Sequence, residues 1–357
     1  MSKRITFFDG TLEKGGAERV ISILSKKLAE ASYDVEILLY FDRKIYYQID
    51  KRVKITTIQG KTGTTNIIRN MLWMRSYLKG KETCLVSFLA PFNMLALVVS
   101  FGLKLPVIVA DRNDPRHVPE RFIIRKIRDF LYQFANRVIV QTSHNKEYFN
   151  KRLMRKIEII YNPVDVGKTK GIGLVTKKKK KIVSVGRLME QKNQQLLIKC
   201  FSKIKNRYPE YKLNIYGEGP ERGKLEKQIH ELGLDRDVIL EGQVDDVFSE
   251  IANSEIFVLS SNYEGMPNAL IEAMCLGLPV ISTKVSGATD LIEEGINGLL
   301  VDCMDEIQLC DALQHMISDN EFRKNCAENA VDVANKLDAD VILSKWIAVI
   351  EEVKNEI

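Results

Sequence analysis

The stretch Ser260-Ser-Asn-Tyr-Glu-Gly-Met-Pro-Asn-Ala-Leu-Ile-Glu-Ala-Met-Cys-Leu-Gly-Leu-Pro279 lies between two short apolar runs, Ile256–Leu259 and Val280–Thr283. Short apolar runs without polar alternation suit strands buried on both faces. The segment between them opens with turn-forming residues and then takes a helical pattern, so the whole reads strand, loop, helix, strand. Two carboxylates stand eight positions apart in it, Glu264 at the end of the loop and Glu272 inside the helix. That spacing turns both toward one end of the sheet, where carboxylates accept hydrogen bonds from hydroxyls such as those of a sugar. Between them, Gly265, Met266, Pro267 and Asn268 present backbone N–H groups at a helix start, where a phosphate belongs.

The same grammar repeats along the whole chain. The first half carries strand-like runs at Arg4–Phe8, Val35–Leu39, Lys54–Thr57, Cys84–Phe88, Val107–Ala110, Arg137–Val140 and Ile157–Ile160. The second half carries Lys181–Val185, Lys212–Tyr216, Val238–Glu241, Ile256–Leu259, Val280–Thr283 and Gly298–Val301. Strands alternating with helix-length segments predict α/β architecture with parallel sheets. The 357 residues suit two such domains better than one. We place the first at 1–165, a Gly- and Lys-rich linker without periodicity at 166–181, and the second at 182–338. Residues 339–357 form a last helix, apolar at helical spacing over Ala339–Val353, that can pack back on the first domain. Ligands of open parallel sheets sit outside the carboxyl ends of the strands, so two facing domains would react ligands in the cleft between them.

Composition excludes several classes. The apolar and charged shares, 45% and 28%, are those of a globular protein rather than a disordered one. No Cys-x-x-Cys pair occurs among the six cysteines, and the four histidines are scattered, so no metal site is expected. Thiols such as Cys200 and Cys275, set in apolar helical patterns, point to a reducing compartment. No secretory signal is visible at the start, which enters a strand directly. The apolar region Leu85–Ala110 is broken by Pro91, Asn93, Gly102, Lys104 and Pro106 and reads as strand, helix, strand rather than a membrane span. The net charge of +6 conceals a split: residues 1–165 hold 29 Lys/Arg against 16 Asp/Glu, while residues 182–357 hold 17 against 31. An anionic partner is therefore expected for the first half alone.

Two further clusters fall at strand ends. Gly15-Gly16-Ala17-Glu18-Arg19 precedes a long amphipathic helix, where small residues let a ligand approach the backbone and free N–H groups favour an anion. On its own a Gly pair before a helix is equally a structural turn. Gly186-Arg187-Leu188 and Gln191-Lys192-Asn193 follow the strand Lys181–Val185, and Arg187 with Lys192 offers a planar fork and a point charge to a diphosphate.

These clusters, with Tyr216-Gly-Glu-Gly-Pro220, Pro279-Val-Ile-Ser-Thr283 and Gly295…Gly298-Leu-Leu-Val301, resemble glycosyltransferase family 4 over nearly the whole chain. The resemblance implies the GT-B fold, two Rossmann-like domains, and a retaining, metal-independent glycosyltransferase with no cofactor beyond its nucleotide-sugar donor, UDP being preferred to GDP. It implies that Arg187 and Lys192 hold the donor diphosphate, Glu264 the hydroxyls of the transferred sugar and Glu272 the ribose. It places Gly16 near the distal phosphate and the strand end at Val244, beside Tyr216 and Gly217, along the nucleobase. No catalytic base is implied. Where many members carry a sugar-facing polar residue after the fifth strand, this chain reads Ala110-Asp-Arg-Asn-Asp-Pro-Arg-His117, so Arg112 or His117 faces the sugar, or the stretch is a turn-rich loop with His117 solvated. Asp245-Asp246 mimics a metal motif of another glycosyltransferase fold, but in this setting it reads as a helix cap.

Basic amphipathic segments mark the first half. Asn66–Lys81 mixes apolar residues with Arg69, Arg75 and Lys79, and Arg121–Phe134 does the same with Arg121 and Arg125. Such helices suit an anionic membrane surface or a diphosphate head group, or else are core-packed with a cationic outer face. We expect a polyprenyl-diphosphate-linked glycan acceptor in surface-glycan assembly, at the cytoplasmic face of a bacterial inner membrane. The competing readings are a soluble-acceptor transferase on the same fold, a non-hydrolysing nucleotide-sugar epimerase, and a catalytically inactive nucleotide-binding scaffold. Nucleic acid is not expected, because the lysine run Lys177–Lys181 has no interleaved aromatics and no RNA-binding motif occurs.

Overall fold

The computed structural model describes residues 3–164 and 178–356. Most of the linker expected at 166–181 lies outside the described residues, and Lys181 already opens a strand. The chain divides into two units, Met1–Pro163 with Ala339–Ile357, and Val164–Asp338.

The first unit is a seven-stranded parallel sheet in the order β3-β2-β1-β4-β5-β6-β7. Its strands are β1 Arg4–Asp9, β2 Asp34–Leu39, β3 Lys54–Thr57, β4 Cys84–Phe88, β5 Val107–Ala110, β6 Arg137–Val140 and β7 Ile157–Ile159. The central strands β4 and β5 are buried along their whole length, as their unbroken apolar runs require, while the edge strand β3 alternates in exposure. The Leu85–Ala110 region is indeed strand, helix Ala90–Ser100, strand. Among the described residues no helix is long and apolar enough to cross a membrane.

The terminal helix Ala339–Asn355 belongs to this unit. Its Ile342, Trp346, Ile350 and Val353 join the core built by β1, β2, β4 and the helix Gly16–Glu30, and Trp346 stacks on Phe88 at 5.9 Å. Burial of that apolar face holds the helix in place, since a helix of this length is marginal in water alone.

The second unit is a six-stranded parallel sheet in the order β10-β9-β8-β11-β12-β13. These strands are β8 Lys181–Val185, β9 Lys212–Tyr216, β10 Val238–Gly242, β11 Ile256–Leu259, β12 Val280–Thr283 and β13 Gly298–Val301. Its core is packed by Leu197, Phe201, Leu213, Ile256, Ile281 and Leu313, among others. Both sheets reverse strand order beside their first strand, so the carboxyl ends of β1 and β4, and of β8 and β11, diverge into crevices where ligands of such sheets bind.

Candidate active site

In the second unit the loops leaving β8, β9, β10 and β11 are tied to one another by backbone bonds. The Gly186 amide donates to the Tyr216 carbonyl (2.9 Å), Leu188 N–H to Glu218 (3.0 Å), and Gly217 N–H to Gly242 (2.7 Å). Gly217 has φ +137°, and a Cβ there would stand 2.0 Å from the Gly186 carbonyl oxygen, so only glycine lets these loops close.

The Gln191-Lys192-Asn193 turn is laced onto the Ser260–Glu264 loop. Asn262 N–H donates to the Gln191 carbonyl (2.7 Å), the Ser260 hydroxyl to the Lys192 carbonyl (3.0 Å), and Asn193 Nδ2 to Asn262 Oδ1 (2.9 Å). Asn193 makes this turn in the left-handed region, φ 47°, a conformation asparagine tolerates. The result puts Lys192 Nζ 2.5 Å from Glu264 Oε1. The same oxygen accepts from the Ser261 hydroxyl at 2.7 Å. Glu264 is thus a buried carboxylate held by a cation and a hydroxyl, a charge-assisted network of the strong kind. The helix Asn268–Cys275 begins directly after Gly265, Met266 and Pro267, which are buried, and it carries Glu272 with only 4% exposure.

Of the residues singled out in the sequence, Arg187, Lys192, Gly217, Val244, Glu264 to Asn268 and Glu272 lie in or directly after the loops that follow β8, β9, β10 and β11. Arg187 is exposed and makes no ion pair among the described residues. Tyr216 ends β9 beside Gly217; its ring is buried, its hydroxyl accepts from Lys181 Nζ at 2.5 Å, and its carbonyl accepts the Gly186 amide. Burial raises the Tyr216 phenol and lowers the Lys181 ammonium from their ordinary values. Sequence reasoning passed over Ser261, whose place three residues before Glu264 was the available signal. Asp246 caps the helix Val247–Ile251, accepting from Ser249 N–H and its hydroxyl.

In the first unit Gly16 is exposed and opens the helix Gly16–Glu30 after β1, with Gly15 held by the Tyr47 hydroxyl at 2.7 Å. The two candidates after β5 separate clearly. Arg112 is buried, its guanidinium over the rings of Phe88 (4.8 Å) and Trp346 (5.5 Å) and donating to Asn162 Oδ1 at 3.1 Å. Loss of hydration there pulls it down to about 9, against the pull of Asp111 and Asp9. His117 is exposed, with Nδ1 3.3 Å from Asp114. Only His117 therefore stands at the surface.

The expected acceptor cations also divide. Arg75 Nη1 donates to the carbonyls of Val99 (2.7 Å) and Phe101 (2.8 Å), and Arg125 Nη1 to those of Pro119 (2.9 Å) and Glu120 (2.7 Å). These two are committed to the fold. Arg69, Lys79 and Arg121 are exposed without an ion pair among the described residues. The helix Phe122–Leu131 is not a core-packed helix with a purely cationic outer face: Phe122, Ile123, Ile127 and Phe130 are exposed beside Lys126, while Ile124 and Leu131 are half-buried, Leu131 against the core.

Two parallel sheets with their helices, each with loops converging at the carboxyl strand ends, have the architecture of the GT-B fold. Among solved structures, Anabaena HepE in complex with UDP-glucose superimposes with a TM-score of 0.83 at 20% identity, covering 98% of this chain and 99% of that one. The model described as Glycosyltransferase Family 4 matches residues 14–168, and that described as Glycosyl transferases group 1 matches residues 167–333. The chain belongs to the group 1 glycosyltransferases. A Campylobacter jejuni protein named as the GalNAc-alpha-(1->4)-GalNAc-alpha-(1->3)-diNAcBac-PP-undecaprenol alpha-1,4-N-acetyl-D-galactosaminyltransferase is 29% identical over 361 residues, covering 99% of each chain. Another from the same organism, the N-acetylgalactosamine-N,N'-diacetylbacillosaminyl-diphospho-undecaprenol 4-alpha-N-acetylgalactosaminyltransferase, is 29% identical over 94% of this chain and 96% of its own.

Proposed function

We propose that this glycosyltransferase is a retaining, metal-independent enzyme that moves a hexose or N-acetylhexosamine from a UDP-sugar to a polyprenyl-diphosphate-linked glycan. The observation that carries the reading is the junction of Lys192, Glu264 and Ser261 at the carboxyl end of the second sheet. A sugar nucleotide laid there has its diphosphate at Lys192 and Arg187 and its hydroxyls at Glu264, with the Gly265–Asn268 backbone at the phosphate. Glu272 takes the ribose, and the strand end from Gly217 to Val244 takes the base. The bond from the anomeric carbon to the diphosphate breaks with its electron pair going to phosphate oxygen, and fixed cations aimed at that oxygen lower the barrier. The acceptor hydroxyl attacks from the same face and passes its proton to the departing phosphate, so no protein base is required. Asp246, spent on capping a helix, is not offered to a metal.

The acceptor reading draws on the two Campylobacter relatives, both named for undecaprenyl-diphosphate-linked substrates. The excess of cations in residues 1–165 supports it. We place the enzyme on the cytoplasmic face of a bacterial inner membrane, with Arg69 and Arg121 toward the anionic acceptor. The test is nucleotide release from a panel of UDP- and GDP-sugars in EDTA, with and without a detergent-solubilised lipid-linked acceptor. Release from one UDP-sugar only when acceptor is present, giving an α-linked product from an α-linked donor, is the expected result. Conversion of donor without acceptor refutes the reading in favour of an epimerase.

A further inference from the structure

The helix Phe122–Leu131 exposes four of its six apolar residues, Phe122, Ile123, Ile127 and Phe130. Its buried member is Arg128, with no exposure, donating to the carbonyls of Val118 (2.5 Å) and Pro115 (3.0 Å) and to Asp129 (2.8 Å). Its outward face carries Ile123, Ile127 and Phe130, three and four places apart on one side, and Phe134 continues the line just beyond. Ile123 is 71% exposed and Phe130 59%. Phe134 meets Phe130 at 5.4 Å and Phe101 at 5.8 Å between ring centroids, and Phe101 is itself 66% exposed. The patch is thus continuous from the helix to the turn after Ala90–Ser100. That turn is fixed by Arg75, which crosses from the helix Ile67–Leu78 to bind the Phe101 carbonyl. A contiguous apolar face of this kind on a rigid frame marks an interaction site.

What covers it is indicated by its surroundings. The turn that carries Phe101 continues through Gly102, Leu103 and Lys104 into the wall of a groove of about 680 Å³. Lys79, Lys81, Lys104 and Lys354 line that groove, against the single carboxylate of Glu82. Lys81 and Lys354 are partly engaged by Glu36 (3.1 Å) and Glu351 (3.7 Å), whereas Lys79 and Lys104 are exposed with no ion pair among the described residues. On the helix itself Arg121 and Lys126 are exposed beside the apolar stripe. The groove opens at the residues leading into β4 and β5, the end of the sheet opposite the ligand-binding carboxyl ends.

We infer that this face docks on an anionic phospholipid bilayer, with Phe101, Phe130 and Phe134 entering the interface and a lipid phosphate held in the lysine groove through Lys104 and Lys79. The charge and shape match an amphiphile of that kind: phosphate-binding cations on one side, apolar chain contacts immediately next to them. The inference rests on the reading that the first domain works at a membrane, and it adds which lipid class is bound and which residues bind it.

The test is flotation of the full-length protein with vesicles of phosphatidylcholine alone and of phosphatidylcholine with phosphatidylglycerol, no acceptor being present. Wild type floats with the anionic vesicles and not with the neutral ones. Phe101→Ser/Phe130→Ser lowers the partition coefficient at least about 100-fold, from the apolar burial lost. Lys79→Gln/Lys104→Gln lowers it roughly 30-fold, from two surface cations removed. Arg207→Glu, on the second unit, leaves it unchanged, and thermal melting verifies that each variant is folded. Folded variants that float like wild type overturn the inference while leaving a membrane role standing. Wild type that floats with neither vesicle overturns both. A dimer in solution that Phe101→Ser/Phe130→Ser converts to monomer, without vesicle binding, overturns it in favour of self-association.

Discussion

Replacing Lys192 by alanine separates what the second unit needs for folding from what it needs for transfer. Lys192 Nζ is 2.5 Å from Glu264, and its side chain is 19% exposed, so it sits near the surface but not in bulk water. A unit charge about 4 Å from a phosphate oxygen at an effective dielectric of ~20 is worth ~4 kcal/mol. The leaving group gains charge as the glycosidic bond breaks, so most of this is realised in the transition state, and loss of one such donor lowers turnover by about 10²–10³. The cost to folding is smaller, because Glu264 keeps its bond from Ser261 at 2.7 Å. A loss of about 1–2 kcal/mol corresponds to a melting shift of a few degrees in a chain of this size. The assay is nucleotide release with saturating lipid-linked acceptor, read as kcat and kcat/KM beside a thermal melt. A folded variant whose kcat/KM stays within about tenfold of wild type refutes the assignment of Lys192 to the diphosphate.

Two other perturbations test the first unit. Asp9 is fully buried with Oδ2 unpartnered, and burial together with the nearby Glu18 holds its carboxyl well above the usual range. The folded state therefore binds the extra proton above the unfolded value near 3.8, and stability falls as pH rises from there through the raised folded value. Asp9→Asn keeps an acceptor for the Gly10 amide (2.7 Å), so its melting temperature gains on wild type between pH 4 and pH 7, and parallel curves contradict the raised value. Trp346→Ala removes a fully buried ring that stacks on Phe88 and lies against the Arg112 guanidinium. Denaturant unfolding should show a loss of about 3–5 kcal/mol, and a loss below about 1 kcal/mol would mean the terminal helix is dispensable.

The strands were legible because a parallel sheet buried on both faces writes itself as short unbroken apolar runs. Their ends were less so. β1 runs one residue further than its apolar run because Asp9 is itself buried, and β10 extends to Gly242, whose φ of +77° lets the chain turn. The residues in the loops after β8 and β11 were legible by type and order, but not their mutual arrangement. The Lys192–Glu264 pair spans 72 positions, and only the turn at Asn193 and the lacing at Asn262 bring the two together. Arg112 was illegible for another reason. Its place after the fifth strand offered it as a sugar-facing cation, whereas the aromatic slot that buries it is completed by Trp346, far along the chain. The helix Phe122–Leu131 was recognised as basic and amphipathic, yet periodicity cannot say which side faces inward when the inward side is an arginine with backbone partners.

The return of Ala339–Asn355 to the first unit makes the second unit an insertion within it. The Val164 amide, where the chain leaves the first unit, donates to the Leu337 carbonyl just before the chain re-enters it (2.8 Å). On the ribosome, the first sheet is synthesised long before Trp346 emerges to complete its core. The inserted unit has every strand of its own sheet by residue 301 and its core residues Leu313 and Cys326 soon after, all ahead of Trp346, so it can close first. Synthesis order and completion order are thereby inverted. The unit made first is finished last, and a chain cut short near its end loses the half that does not contain the Lys192–Glu264 pair.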